Sequence, residues 1–127
     1  MRFSMCLALA LIASTASAAE LDAGKAVFQQ VCASCHMADG AGLPGAFPPL
    51  KQSDYFKKAT PAALVKILDH GLTGEVTVNG QKFNSAMPAQ TLTDQEMSDV
   101  LNYVSVALNG GKAMFKVDQV KKLRAAK

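Results

Sequence analysis

The sequence predicts an all-α fold of three to five helices, with a small β-hairpin ahead of a methionine-bearing loop. Three observations carry that expectation. Two segments open with helix-start signals, Thr60-Pro61 and Leu92-Thr93-Asp94-Gln95-Glu96-Met97. After the second, Met97, Val100, Leu101, Val104 and Leu108 fall on one helical face. The stretch 75–84 alternates as strands do and contains Asn79-Gly80, the residue pair of a tight hairpin turn.

The first 19 residues read as a secretory signal peptide rather than as part of the fold. Arg2 supplies a positive start, Met5 to Ala13 is apolar, and Ala16-Ser17-Ala18 is a small-residue cleavage site, with the cut after Ala18 or Ala19. The apolar stretch is too short to span a bilayer. Residues 20–127 then form one domain of 108 residues. Loss of Arg2 leaves 12 basic against 10 acidic residues, which gives no basis for nucleic-acid binding. Loss of Cys6 leaves two cysteines, Cys32 and Cys35. A domain this small buries a modest core of its own.

The domain opens with Leu21 to Val31, where Asp22 is the expected N-cap and Val27, Phe28 and Val31 recur at helical spacing. Gly24 inside this helix costs about 1 kcal/mol against alanine, so a close contact is expected to compensate. From Met37 to Ser53 glycine and proline recur every few residues, which excludes helix and central strand. Leu43, Phe47 and Leu50 make it a loop that packs on something apolar. A helical turn around Tyr55-Phe56 follows. The helix from Thr60 and Pro61 has Leu64, Ile67 and Leu68 as its buried stripe, His70 in its last turn, and Gly71 as its stop. After the hairpin and the Ser85-Ala86-Met87-Pro88-Ala89 loop, Thr93 and Glu96 form a capping box, with Leu92 and Met97 as a hydrophobic staple. Asn109-Gly110-Gly111 stops that helix, and Val117, Val120 and Leu123 mark a short amphipathic piece in the basic tail.

Chemistry is concentrated in Cys32-Ala33-Ser34-Cys35-His36. Two cysteines separated by two residues, with histidine next, read as an attachment site for one covalent haem c. Each thiol adds across one porphyrin vinyl group, and the next residue falls under the iron as an axial ligand. A zinc site would need further Cys or His ligands. A redox dithiol usually opens a helix after a strand, and a structural disulfide would leave His36 unexplained. The helices are thus expected to pack around one covalently bound haem, held through Cys32 and Cys35 and ligated by His36.

The second ligand decides the function, because two strong ligands favour electron transfer and an open site favours ligand chemistry. Met37 is adjacent to His36 and cannot reach the opposite face. Met97 belongs to the staple, Met114 reads as core filler, and His70 is held at a helix end. Met87 sits in a loop, off any apolar stripe, before Pro88 and 51 residues from His36. It is the expected second metal ligand.

Taken together these features resemble a class I c-type cytochrome, monohaem and bacterial periplasmic, over essentially the whole of residues 20–127. The resemblance implies the cytochrome c fold. It implies that Gly24 and Phe28 of the first helix pack on Tyr103 of a later one. It further implies that Pro48 and Leu50 belong to the haem pocket, with the Pro48 carbonyl accepting the His36 Nδ1–H. The stretch from Gly42 to Pro88 is similar to haem domains that partner, or are fused to, bacterial oxidoreductases such as copper nitrite reductase. No strongly basic ring favours docking of the mitochondrial type. The implied function is a periplasmic carrier of single electrons between redox protein partners, a monomer and not an enzyme. A dedicated haem subunit of a dehydrogenase or nitrite reductase complex, and a ligand-binding or peroxidatic haem protein, are the alternatives.

Overall fold

A computed structural model describes residues 17–126; residues 1–16 of the expected signal peptide lie outside the described residues. Helix α1 (Ala18–Val27) passes through one π-helical turn, Phe28–Cys32, into α2 (Ala33–His36) without leaving the helical path. Short α3 (Asp54–Lys58) and α4 (Pro61–His70) follow the glycine-proline loop. Strands β1 (Val76–Val78) and β2 (Gln81–Phe83) pair antiparallel, with Val76 opposite Phe83. Helix α5 (Asp94–Tyr103) continues through a second π-helical turn, Val104–Leu108, and α6 (Val117–Ala125) ends the described chain. Because α2 continues α1, the described residues contain five helical bodies and one hairpin. This is the mostly helical architecture the sequence predicts.

Local signals explain most of these boundaries. The Thr93 hydroxyl accepts from the Glu96 N–H while the Glu96 carboxylate accepts from the Thr93 N–H. Thr60 caps α4 through the Ala63 N–H, and Pro61 takes the first helical position. Asn79 and Gly80 have φ of 51° and 78°, as a type I′ turn requires. The first helix begins earlier than expected. Its N-cap is Ser17, not Asp22, because Ser17 and Glu20 make a complete capping box. A cut after Ala18 or Ala19 would remove that cap.

The core is built where α1 crosses α5. A Cβ on Gly24 would sit 2.7 Å from the Tyr103 Cβ and still nearer the Asp99 carbonyl, so no side chain fits there. That close approach accounts for the glycine's cost within a helix. Phe28 is fully buried, and its ring lies 5.4 Å from that of Tyr103 in a tilted arrangement. Such a pair adds about 1 kcal/mol to the burial itself. Met97, Val100, Leu101, Val104 and Leu108 are all buried, as their spacing predicts. On α4 Leu64 and Leu68 are buried together with Val65, and Ile67, half-buried, lines the cavity described below. Met114 is 52 % exposed and fills no core. Helix α6 packs on α4 and α5 through the fully buried Val120. Ahead of it, Ser98 and Asn102 both donate to the Phe115 carbonyl, and the Phe115 N–H donates back to Asn102.

The hairpin cannot stand alone at three residues a strand. It buries Val78 and Phe83, and its turn is tied to the start of α3. The Asp54 N–H donates to Asn79 Oδ1 at 2.9 Å, the Asn79 N–H donates to Asp54 Oδ1 at 2.7 Å, and Asn79 Nδ2 donates to the Gln52 carbonyl at 3.1 Å. The Asn79 N–H, with Lys58 nearby, holds the Asp54 carboxyl below the ordinary carboxylate range. The folded value lies below the unfolded one, so the tie stabilises the protein above the ordinary carboxylate pKa. That contribution disappears as pH falls through the folded value. Asp54→Asn keeps an acceptor for the Asn79 N–H without the charge. The slope of thermal midpoint against pH, between about pH 5 and pH 2, should therefore be shallower in Asp54→Asn than in the native protein.

Candidate haem site

Cys32 closes the first π-helical turn, and Cys35 and His36 lie on α2, so one helical path delivers all three to a cavity of about 280 Å³. In a π turn the Ala33 N–H reaches back to the Phe28 carbonyl, which adds one residue to the turn. Leu64 and Leu68 of α4 and Val100, Leu101 and Val104 on the α5 path line the inner wall. Val76, Val78 and Phe83 of the hairpin line another part, and Met87 and Pro88 close a further side. The walls are overwhelmingly apolar, which suits a flat, largely apolar group.

His36 is 8 % exposed, and its Nδ1 lies 2.8 Å from the Pro48 carbonyl oxygen. A carbonyl only accepts, so Nδ1 carries the proton and Nε2 keeps its lone pair free. Burial lowers the imidazole pKa, and the Pro48 hydrogen bond opposes this in part. The ring is therefore neutral at pH 7, the form that can bind a metal.

Pro48 is held in place by a set of backbone bonds. The Gly42 N–H donates to the His36 carbonyl at 2.9 Å, and the Leu50 and Lys51 N–H groups donate to the Gly40 carbonyl at 2.8 and 2.9 Å. From the other side, Asn109 Nδ2 donates to the Leu50 carbonyl, and Asn109 Oδ1 accepts from the Ser53 N–H. Sequence reasoning took Asn109 as a helix stop and missed this second role. A polar residue with both donor and acceptor at the end of an apolar helix was the available signal. Leu50 is half-buried and faces the same cavity as Pro48.

Burial, reinforced by neighbouring Cys35, pushes the Cys32 thiol up to about 11. It is therefore protonated at neutral pH. A thioether at the same sulfur has no ionisable proton, so covalent attachment would keep it neutral at any pH. Cys32 and Cys35 are both unpaired. Among the described residues no three His, Cys, Asp or Glu side chains converge as a metal-ligand set, which argues against the zinc reading. The cysteines follow a helix, not a strand, unlike a redox dithiol. Two thiols, a tied histidine and apolar walls fit a covalently attached haem.

Met87 reaches the cavity by a route the sequence did not indicate. Its N–H donates to the Leu72 carbonyl at 2.8 Å and its carbonyl accepts from the Leu72 N–H at 2.9 Å. The segment just after α4, not the hairpin, fixes its backbone. The Gln90 N–H adds a bond to the Leu68 carbonyl at 2.7 Å. Gly71 lies under this loop with φ of 82° and ψ of −177°, a region essentially confined to glycine. A Cβ there would meet the Met87 carbonyl oxygen at 2.5 Å. Of the other candidates, Met97 is fully buried in the core, and Met37, Met114 and His70 are not among the cavity's lining residues. The His70 side chain is 64 % exposed, with Nε2 3.7 Å from Asp69.

Residues 21–107 match the protein family described as Cytochrome c. Cytochrome c-552 of Thermus thermophilus is 37 % identical over 113 residues, covering 82 % of this chain and 86 % of that protein. The cytochrome c subunit of the quinone-type alcohol dehydrogenase of Gluconobacter oxydans is 33 % identical over 106 residues, with 81 % of this chain and 22 % of that subunit covered. The fructose dehydrogenase cytochrome subunit of Gluconobacter japonicus is 29 % identical over 106 residues, covering 80 % and 22 %.

The Gly71 geometry gives a direct test. Gly45 also has positive φ, 77°, but a Cβ on it would meet nothing within 4 Å, and it does not line the cavity. Gly45→Ala should cost only the backbone strain, about 1–2 kcal/mol. Gly71→Ala should add the displacement of the Met87 loop, for roughly 3 kcal/mol or more in total. Denaturant unfolding of the two haem-loaded variants measures the difference.

Proposed function

Because this chain belongs to the cytochrome c family, with covalent haem c on Cys32 and Cys35, we propose that it is a periplasmic single-haem electron carrier whose iron is ligated by His36 and Met87. It is an electron carrier and not an enzyme. When bound, haem c supplies a one-electron couple at its iron. The residues around it set how that couple behaves. His36 offers Nε2 as the first ligand, and the Pro48 carbonyl orients the ring and strengthens its donation. Met87 offers its thioether as the second, which raises the reduction potential relative to two histidines. Leu64, Leu68, Val100 and Leu101 keep water from the cavity, and the bonded loops around it limit rearrangement when charge changes.

The observation that carries this reading is the placement of Met87 on the wall of the cavity that His36 enters, with its backbone pinned on Leu72. The Arg2 to Ala19 leader supports export, and among the described residues no helix is long and apolar enough to cross a membrane. Docking to a donor and an acceptor protein would be brief and small in area. A second reading, a dedicated haem subunit of a dehydrogenase or nitrite reductase complex, draws on the likeness to dehydrogenase cytochrome subunits. This chain spans about a fifth of their length and most of cytochrome c-552.

Two outcomes are expected. The ferric haem-loaded protein should show the weak red-edge band of sulfur-to-iron charge transfer, and Met87→Ala should abolish it and lower the potential; a band that persists in Met87→Ala rules out that ligand. In gel filtration of native extract the haem protein should elute at the size of one domain; elution with a large oxidoreductase supports the subunit reading.

A further inference from the structure

Helix α6 lies beyond residues 21–107, the part matched to the family, yet it reaches back to the methionine loop. Arg124 is its point of contact. Its Nε and Nη2 lie 3.0 and 2.9 Å from Asp69 Oδ1, near the end of α4. Its Nη1 lies 2.8 Å from Asp94 Oδ1 and 3.0 Å from the Leu92 carbonyl oxygen, where the loop enters α5. The Arg124, Asp69 and Asp94 side chains are 27 %, 19 % and 34 % exposed, so the fork is only partly screened by water.

These acceptors are placed around Met87. The segment 68–72 and the segment 87–90 are joined by the two Leu72–Met87 bonds and by the Gln90 bond to Leu68. Asp69 belongs to the first strip, and Leu92 lies at the exit of the second. Arg124 therefore spans the open end of this short ladder and joins both strips through one rigid, planar group. An exposed ion pair that merely fastened α6 would need one partner and would be worth little. A guanidinium with acceptors on two segments, one of them a backbone carbonyl in the loop itself, constrains how far those segments can separate.

We propose that Arg124 is a positioning residue for the second axial ligand: by bridging Asp69 to Leu92 and Asp94, it resists the loop opening that releases Met87 from the iron. The inference rests on Met87 as the ligand. Its effect is on ligand exchange, since an external base can bind only after Met87 has swung away. Weakening the bridge raises the population of the opened loop and so the apparent affinity for that base.

The experiment titrates the ferric haem-loaded full chain with imidazole and follows loss of the red-edge band. Arg124→Gln should bind imidazole about tenfold more tightly, as expected for losing charge-assisted bonds at a partly buried site. Arg124→Lys, which keeps the charge but cannot span all three acceptors, should fall between the two. Thr60→Ala, which removes the N-cap of α4 at the end far from Asp69 and off the cavity, serves as a control for general destabilisation and should leave imidazole affinity within about twofold. An unchanged affinity in Arg124→Gln overturns the inference, and so does an equal gain in Thr60→Ala. If Arg124→Gln does not retain haem, Asp69→Asn and Arg124→Lys decide by the same criterion. Failure of the ligand assignment shows separately, as a red-edge band that survives Met87→Ala.

Discussion

A histidine presents Nε2 as a donor most reliably when Nδ1 is protonated and the ring is held in one orientation, and at His36 the Pro48 carbonyl does both. Much of the sequence between α2 and α3 exists to put that carbonyl 2.8 Å from His36 Nδ1. The loop folds back on the end of α2 through the Gly42 bond to the His36 carbonyl, and it closes on itself through the two bonds to the Gly40 carbonyl. Asn109, after the α5 path, then fastens Leu50 and Ser53. The histidine's orientation is thus fixed by residues up to 73 positions away along the chain, and it depends on α5 being in place.

That helix is in place because α1 can approach it closely. At Gly24 the two backbones meet with no room for a side chain, and one turn further on the Phe28 ring packs tilted against Tyr103. The same helical path then carries Cys32, Cys35 and His36. Packing and chemistry share one rod: the residues that anchor α1 to α5 also set where the sulfurs and the imidazole point. The π-helical turn between the two parts shifts the register of α2 relative to α1, so the anchoring face need not be the presenting face.

The opposite side of the cavity is assembled from less regular pieces. Hairpin, Met87 loop and the segment just after α4 have little regular structure of their own, and their stability comes from a few directed bonds. Asn79 ties the hairpin to α3, Leu72 ties Met87 to the end of α4, and Arg124 links α6 to both sides of the loop. A side built this way can be tuned by single contacts without disturbing the α1–α5 crossing.

By itself the sequence determined the starts of α4 and α5, since Thr60, Pro61, Thr93 and Glu96 act within one turn. It determined the hairpin, because Asn79-Gly80 dictates a turn regardless of its surroundings. It also marked the covalent haem motif, because thioether attachment fixes both the cysteine spacing and the adjacent histidine. Elsewhere the structure differs or adds: Ser17, not Asp22, caps the first helix, Met114 is exposed, and the Met87 backbone is pinned by Leu72, a pairing nothing local announces. Asn109 as a fastener of the Pro48 loop and Arg124 as a bridge between α4 and the methionine loop left no periodic trace. A hydrogen bond between residues 55 or more positions apart has no local propensity to announce it. Only the closing of α1 on α5, and of α6 on both neighbours, brings those groups within reach of each other.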